Sequence, residues 1–390
     1  MTTRSPSSCL RAVSSFHSPN HHALFRQTAL QRTLIAFTGK QPQICRWASS
    51  SSSSSQPDLS KPEQTALAEI EGLKTSDPIN PSRSTLPPPL KLPTRRSENI
   101  ALYYFRIGRA YGSFYWVGIK AVWFNYQAAT QLRERIRRQA GEKKVSRSQE
   151  FALMTRSEFQ LLARNSHDIG KLPFFGLLVA LFGEWLPVIV PFIPGAVPGT
   201  CRIPKQIEGM RKKAEERRRS SFRQGISEPA EDQLRLEAAA DANSSTEYPI
   251  SRKEYAAQML SKLRDDQLFH LSSTLNLHNR IWDRIQLPPP SFLLRRGLSK
   301  HLSYLGSDDF LLERYGGAFK LSTEEVEIAC EERGLDVLGR PEQKLRENLT
   351  WWLARQKDDK GKGSAILAML FRRPNAWEGQ TPGQTKISRK

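Results

Sequence analysis

The chain has 390 residues, of which 38% are hydrophobic and 25% charged, and its formal net charge is +20. That length allows one or two domains with tails, and that charge points to an acidic partner, either RNA or an anionic membrane surface. The four cysteines (Cys9, Cys45, Cys201, Cys330) are scattered without CxxC spacing and suggest neither a disulfide framework nor a zinc site. No phosphate loop, nucleophile elbow or metal-ligand cluster occurs, and His270, His278 and His301 have no partner at catalytic spacing. The expectation is a non-enzyme without a cofactor.

Residues 1–47 are rich in Arg and Ser and hold no acid. An amphipathic run spans Ala23 to Ala36, with Leu24, Leu30 and Leu34 on one side and Arg26 and Arg32 away from it. This is the pattern of a mitochondrial presequence, with Arg46-Trp47-Ala48 as the cleavage region. Removing the basic residues of 1–57 leaves a net charge of +14, so the remaining chain is still basic. Residues 48–99 follow as a Ser/Pro-rich linker, expected to be disordered or extended.

Residues 100–145 change character: ten aromatics lie between Tyr103 and Tyr126, and a basic run follows from Arg133 to Arg138. Aromatics with Lys and Arg predict a membrane-proximal helix lying at an interface. A second span is the rival, since Ala110 to Ala129 carries only Lys120, and stacking on single-stranded RNA is a third option. Whether 100–130 enters the bilayer stays open at this point.

Residues 146–201 read as a capped helix running into a membrane span. Thr155 with Glu158 makes a capping box. From Leu172 to Cys201 there is no Lys or Arg and one charge, Glu184. About twenty apolar residues cross a bilayer as a helix, so the span is expected over about 172–192. A carboxylate at mid-depth costs roughly 2.5–3.5 kcal/mol on insertion scales and so calls for a reason. Pro187 would free the carbonyl of Gly183 beside it, a local arrangement that suits a cation or a carried proton. The plain rival is a kinked anchor whose Glu pairs with a neighbouring helix. Three Lys/Arg lie in 152–171 and eight in 202–221, which places the C-terminal side in the matrix for a single-pass protein.

Beyond the span, residues 202–355 read as helices without any alternating strand pattern. Leu260, Leu263, Leu268 and Leu271 share a face, as do Leu294, Leu298, Leu302 and Leu305, and then Leu345, Leu349, Trp352 and Leu353. Ser322 with Glu325 is a second capping box, Gly334 a helix stop and Pro341 a helix start. Residues 356–390 are expected to be a mobile basic tail after one short apolar helix, Ala365 to Phe371. The fold class is therefore all-α.

Two stretches resemble one family. Met154-Thr155-Arg156 with Glu158, then Asp168, Leu172-Pro173-Phe174, a mid-span acid before Leu-Pro, and Phe192, Pro194, Pro198 and Thr200 are similar to the signature of LETM proteins of the mitochondrial inner membrane. LRRGLSKHLSYL, Asp308-Asp309 and ACEERGLDVLGRPEQKLRENLTWWL resemble the LETM ribosome-binding domain. The resemblance implies a helical, 14-3-3-like matrix domain that binds mitochondrial ribosomes, supporting membrane-protein biogenesis and ion homeostasis. It departs from the long members of the family in ending near 390 without their coiled coil, and no D-x-D-x-D-G calcium loop is present. Candidate contacts to ribosome or anionic lipid are Arg211, Lys212, Lys213, Arg217, Arg218, Arg219, Arg295 and Arg296. The alternative that the resemblance implies is cation–proton exchange (potassium or calcium) with Glu184 as proton carrier, which requires an oligomer or a partner because one helix forms no pathway.

Overall fold

A computed structural model describes residues 77–94, 99–140, 147–182, 193, 195, 197–230, 247–285 and 287–377. The chain divides into two units, Met1–Asp58 and Leu59–Lys390, and every described residue belongs to the second. The expected presequence 1–47 and the second half of the expected span, 183–192 with Glu184, lie outside the described residues. Among the described residues all regular structure is helical and no strand occurs.

Helix α1, Ile100–Gln139, is a single rod of 40 residues, about 60 Å long. Its buried face follows helical spacing through Phe114, Gly118, Val122, Ala129, Leu132 and Ile136. Helix α2, Arg147–Leu153, is short, and α3 runs from Arg156 to Phe182. Phe114 and Tyr115 of α1 share an apolar cluster with Phe175 and Leu178 of α3, while Leu132 and Ile136 cluster with Met154, Phe159 and Leu162. Advancing along α1 thus retreats along α3, and the two helices are antiparallel. Gly118 permits the close approach of a third piece: a Cβ there would lie 2.8 Å from Cys201 Sγ and 2.9 Å from the Thr200 carbonyl.

The capping box before α3 is made in both directions. Glu158 N donates to Thr155 Oγ1 at 3.3 Å, and Thr155 N donates to Glu158 Oε2 at 3.0 Å. Farther along, Phe174, Leu177 and Leu181 of α3 are 52%, 54% and 67% exposed. Among the described residues no helix is long and apolar enough to cross a membrane.

The remaining helices are α4 (Pro204–Arg223), α5 (Lys253–Ser261), α6 (Asp265–Thr274), α7 (Arg280–Arg284), α8 (Ser291–Tyr315), α9 (Thr323–Glu332), α10 (Glu342–Asp358) and α11 (Ser364–Leu370). The leucine stripes expected from spacing all turn inward: Leu260, Leu268, Leu271, Leu298, Leu302, Leu305, Leu349 and Trp352 are completely buried. Helix α8 is the axis of this core and packs on α3, α5, α6 and α10. At Gly306 it meets the 249–251 turn so closely that a Cβ would collide with Ile250 Cγ2 and stand 3.0 Å from Ser251 N. Gly306→Ala is therefore expected to cost about 1–3 kcal/mol by overpacking, read as a lower melting temperature. Gly334, at φ +75, ends α9 as expected, since that backbone region suits glycine.

Two boundaries differ from the sequence reading. The tail expected from 356 starts too early: Ile366, Leu367, Met369, Leu370, Phe371 and Trp377 all belong to the main core. The short apolar helix Ala365 to Phe371 was legible in the sequence, but that it docks on the core, with Trp377 beyond it, was not. The linker 48–99 also ends early, because residues 77–85 strap the domain. Ile79 is 2% exposed, and Asn80 donates to Lys320 O at 3.0 Å and accepts from Ser322 N at 2.8 Å. Asp77 Oδ1 accepts from Ile79 N at 2.9 Å, a local turn that composition alone does not reveal.

Candidate functional site

The eight basic candidates divide by what they touch. On α4, Arg211 lies 2.9 Å from Glu331 and 2.8 Å from Glu327, both on α9. Arg217 pairs with Asp283 and donates to the His278 carbonyl at 2.9 Å. Arg218, buried, donates to Glu215 at 2.5 Å and to Thr274 O at 3.2 Å. These three guanidiniums hold α4 onto α6, α7 and α9, so they are fasteners of the fold. Lys212, Lys213 and Arg219 remain exposed, with Lys212 2.7 Å from Glu208 and Arg219 2.7 Å from Glu215. Early in α8, Arg295 is half-buried 3.9 Å from Asp265, and Arg296 is exposed. Glu184, the candidate proton or cation group, lies outside the described residues.

A second constellation lies where α3 meets the domain. Arg156, Gln160 and Arg164 are four residues apart on α3 and share one face. They meet Tyr304, Asp308 and Asp309 of α8 and Glu325, Glu332 and Arg333 at α9. Arg156 Nε donates to Asp308 Oδ1 at 2.9 Å, and Arg156 Nη1 to the Ile79 carbonyl at 2.9 Å. Gln160 Nε2 donates to the same Asp308 oxygen at 2.7 Å. Arg164 grips Glu325 with two parallel bonds of 2.7 and 2.9 Å. Arg333, fully buried, donates to Asp308 Oδ2 at 2.8 Å, to Asp309 Oδ1 at 3.0 Å and to Ala329 O at 2.8 Å. Trp352 Nε1 of α10 closes the other Asp309 oxygen at 3.0 Å. Charge-assisted bonds of this kind are the strong class, and here they join four helices and the 77–85 strap.

Four carboxyls (Asp308, Asp309, Glu325, Glu332) face three guanidiniums (Arg156, Arg164, Arg333), so one negative charge is in excess. Burial pushes Asp308 up, but Arg156 and Arg333 outweigh it and hold the carboxyl at about 2. For Glu332, burial and then the neighbouring Asp308 push the carboxyl up to about 7, against Arg164 and Arg333. Its carboxylate oxygens both lie 2.9 Å from the Tyr304 hydroxyl. His301 donates from Nε2 to the Glu332 carbonyl at 2.8 Å, and burial holds its imidazole neutral down to about 4. The chemistry of these groups is that of a clamp, fixing the orientation of α3 relative to the domain.

The family resemblance, not spacing, had picked out part of this. Arg156 and the Asp308-Asp309 pair stood out, but not that they meet, nor Gln160, Arg164, Tyr304 and Arg333. Glu325 was assigned to a capping box; only half of it exists. Ser322 Oγ accepts from Glu325 N at 3.4 Å, whereas the Glu325 carboxylate turns away to Arg164. Asp168 ties α3 to the far side of the expected span by accepting from Gly199 N at 2.7 Å.

No solved structure matches the chain. The family model described as LETM1-like, RBD matches residues 154–371. That match begins at the α3 cap, contains the whole clamp apart from the 77–85 strap, and ends just after α11, short of the core residue Trp377. It covers more than half of the 390 residues. The chain is a member of the LETM1-like family, built on its RBD-type domain.

Proposed function

We propose that this protein is a mitochondrial inner-membrane receptor for the mitochondrial ribosome, with its helical domain in the matrix. The observation that carries the reading is the clamp within a ribosome-binding-type domain: it locks that domain to α3, the helix that leads into the apolar stretch 172–192. A domain so fastened is a rigid platform and not a ball on a string. The acid-free Arg/Ser-rich start of the chain and the excess of Lys/Arg after the span support the location and orientation. Ribosomal RNA is polyanionic, so exposed cations add salt-sensitive affinity without a sequence code. Lys212 and Lys213, exposed on α4, are the residues placed to do this, with Arg219 and Arg296 beside or beyond them. The protein thereby supports insertion of newly made membrane proteins.

The test is co-sedimentation of detergent-solubilised full chain with mitochondrial ribosomes across a salt series, with a truncation lacking residues 205–390 as reference. Lys212→Glu with Lys213→Glu is expected to weaken binding about tenfold near physiological salt and to reduce the salt slope by about two. Its melting temperature should match the parent, since neither side chain holds the core. Binding unchanged by the truncation would sink the receptor reading.

A further inference from the structure

Five large apolar side chains within thirteen residues, at the corner where α7 turns into α8, are left exposed. Ile281 and Ile285, one turn apart at α7, Leu287 beyond them, and Phe292 and Leu293 in the first turn of α8 are between 44% and 68% exposed. Pro288, Pro289 and Pro290 join α7 to α8, and three fixed φ angles make the corner stiff. Large apolar side chains left exposed this densely along one stretch, 281–293, point to an interaction site. Its frame is basic. Residues 280–300 include Arg280, Arg284, Arg295, Arg296 and Lys300 against one acid, Asp283, which is already engaged by Arg217 and His278.

The direction of α8 says which way the corner faces. Helices α3 and α8 are antiparallel: Arg156 meets Asp308, Gln160 meets Tyr304, and Met154 O accepts from the Tyr315 hydroxyl. From Tyr304 back to Phe292 is twelve residues, about 18 Å, and from Gln160 forward to Leu172 is also twelve residues and about 18 Å. The N-terminus of α8 therefore points the same way as the part of α3 that exposes Phe174, Leu177 and Leu181. Four of the five side chains are aliphatic and have no flat face for stacking on bases, which leaves Phe292 alone able to stack, so this patch suits hydrocarbon better than RNA. Apolar groups at the acyl boundary with guanidiniums at the phosphates are the chemistry of an interfacial membrane contact.

We propose that the α7–α8 corner is a second membrane contact of this domain, seated on anionic lipid with Ile281, Ile285, Leu287, Phe292 and Leu293 at the acyl boundary. It rests on the reading that the chain beyond Phe182 enters that same bilayer. One span alone leaves a domain free to swivel about it; a second contact fixes the face that the domain turns to the matrix. The clamp makes this transmissible, because α3 and α8 are bonded to each other directly.

The experiment uses the full chain, with Cys9 and Cys45 changed to Ser, reconstituted into phosphatidylcholine vesicles with or without phosphatidylglycerol. Leu293→Cys carries an NBD fluorophore. Thr350→Cys, beside Phe310 and Glu313 at the other end of α8, is the aqueous control. Doxyl lipid is expected to quench the Leu293 probe at least about threefold more than the Thr350 probe, with the difference reduced when the anionic lipid is left out. Equal quenching at the two positions overturns the proposal. So does shielding of the Leu293 probe that appears only on adding ribosomes, which assigns the corner to a ribosomal partner. Extraction of the protein by alkaline carbonate overturns the membrane reading and the corner with it, whereas retention with an unquenched Leu293 probe overturns the corner alone.

Discussion

Arg333→Met is expected to be the most damaging single substitution in the domain, costing about 3–5 kcal/mol because it leaves buried carboxylates without their cation. Arg333 is 0% exposed, as are Asp308 and Asp309, the two acids it serves. Methionine fills much of the volume, so the loss is electrostatic and not a cavity effect. Asp308 keeps Arg156 and Gln160, while Asp309 is left with Trp352 alone. The burden therefore falls on Asp309, whose carboxyl is already pushed up by burial. Adding Asp309→Asn to Arg333→Met should recover part of the loss, because an amide needs no counter-charge at that site. In a thermal melt of the detergent-solubilised full chain, a loss of that size lowers the midpoint by roughly 6–20 °C. A shift within a degree of the parent would mean that the clamp contributes no stability and that α3 is held by its apolar contacts alone.

How much of this was legible in the sequence depends on what each residue answers to. Leu298, Leu302 and Leu305 answer to their own helix: spacing names their face, and burying that face is the dominant favourable term. Caps are equally local, so Thr155 with Glu158 was readable from four residues. Arg333 is different. Its partners lie 24 and 25 residues away on another helix, and a lone Arg after a helix of mixed charge looks like any solvated surface group. The same blindness ran the other way on α4, where a dense basic run looks like one electrostatic surface. Arg211, Arg217 and Arg218 are spent on Glu327, Asp283 and Glu215, and only the side chains on the opposite face remain for a partner. Spacing reveals which residues share a face, but not whether that face meets a counter-charge. The α7–α8 corner escaped for a related reason: Ile281, Ile285 and Phe292 pass for core by composition, and only the three-dimensional packing leaves them outside.

Glu332→Gln is expected to gain stability on the parent as pH rises from about 4.5 to about 7, by up to about 3 kcal/mol at the upper end. An unfolded glutamate releases its proton at about 4.3, whereas the native carboxyl, facing Tyr304 and Asp308 from α8, Arg164 from α3, and the adjoining Arg333, holds it to about 7. Across that window the native chain binds a proton that the unfolded chain has lost, so this group makes the parent less stable with every step upward in pH, and the loss is complete above the native value. His301 works in the opposite sense. Burial keeps it neutral down to about 4, so between there and about 6.5 the unfolded chain takes up the extra proton and stability rises with pH. His270 and His278, also lowered by burial, add to that rise. A pH profile of the parent alone therefore mixes opposing slopes. The difference between parent and variant removes the histidines, and Gln keeps an acceptor for the Tyr304 hydroxyl. Melts taken at half-unit intervals give that difference directly. A flat difference would show that Glu332 is already ionised in the native protein at low pH. The fourth carboxyl would then be balanced by the three arginines and solvent, and the proton would have to be placed on Asp309, the other acid of the clamp that burial drives upward.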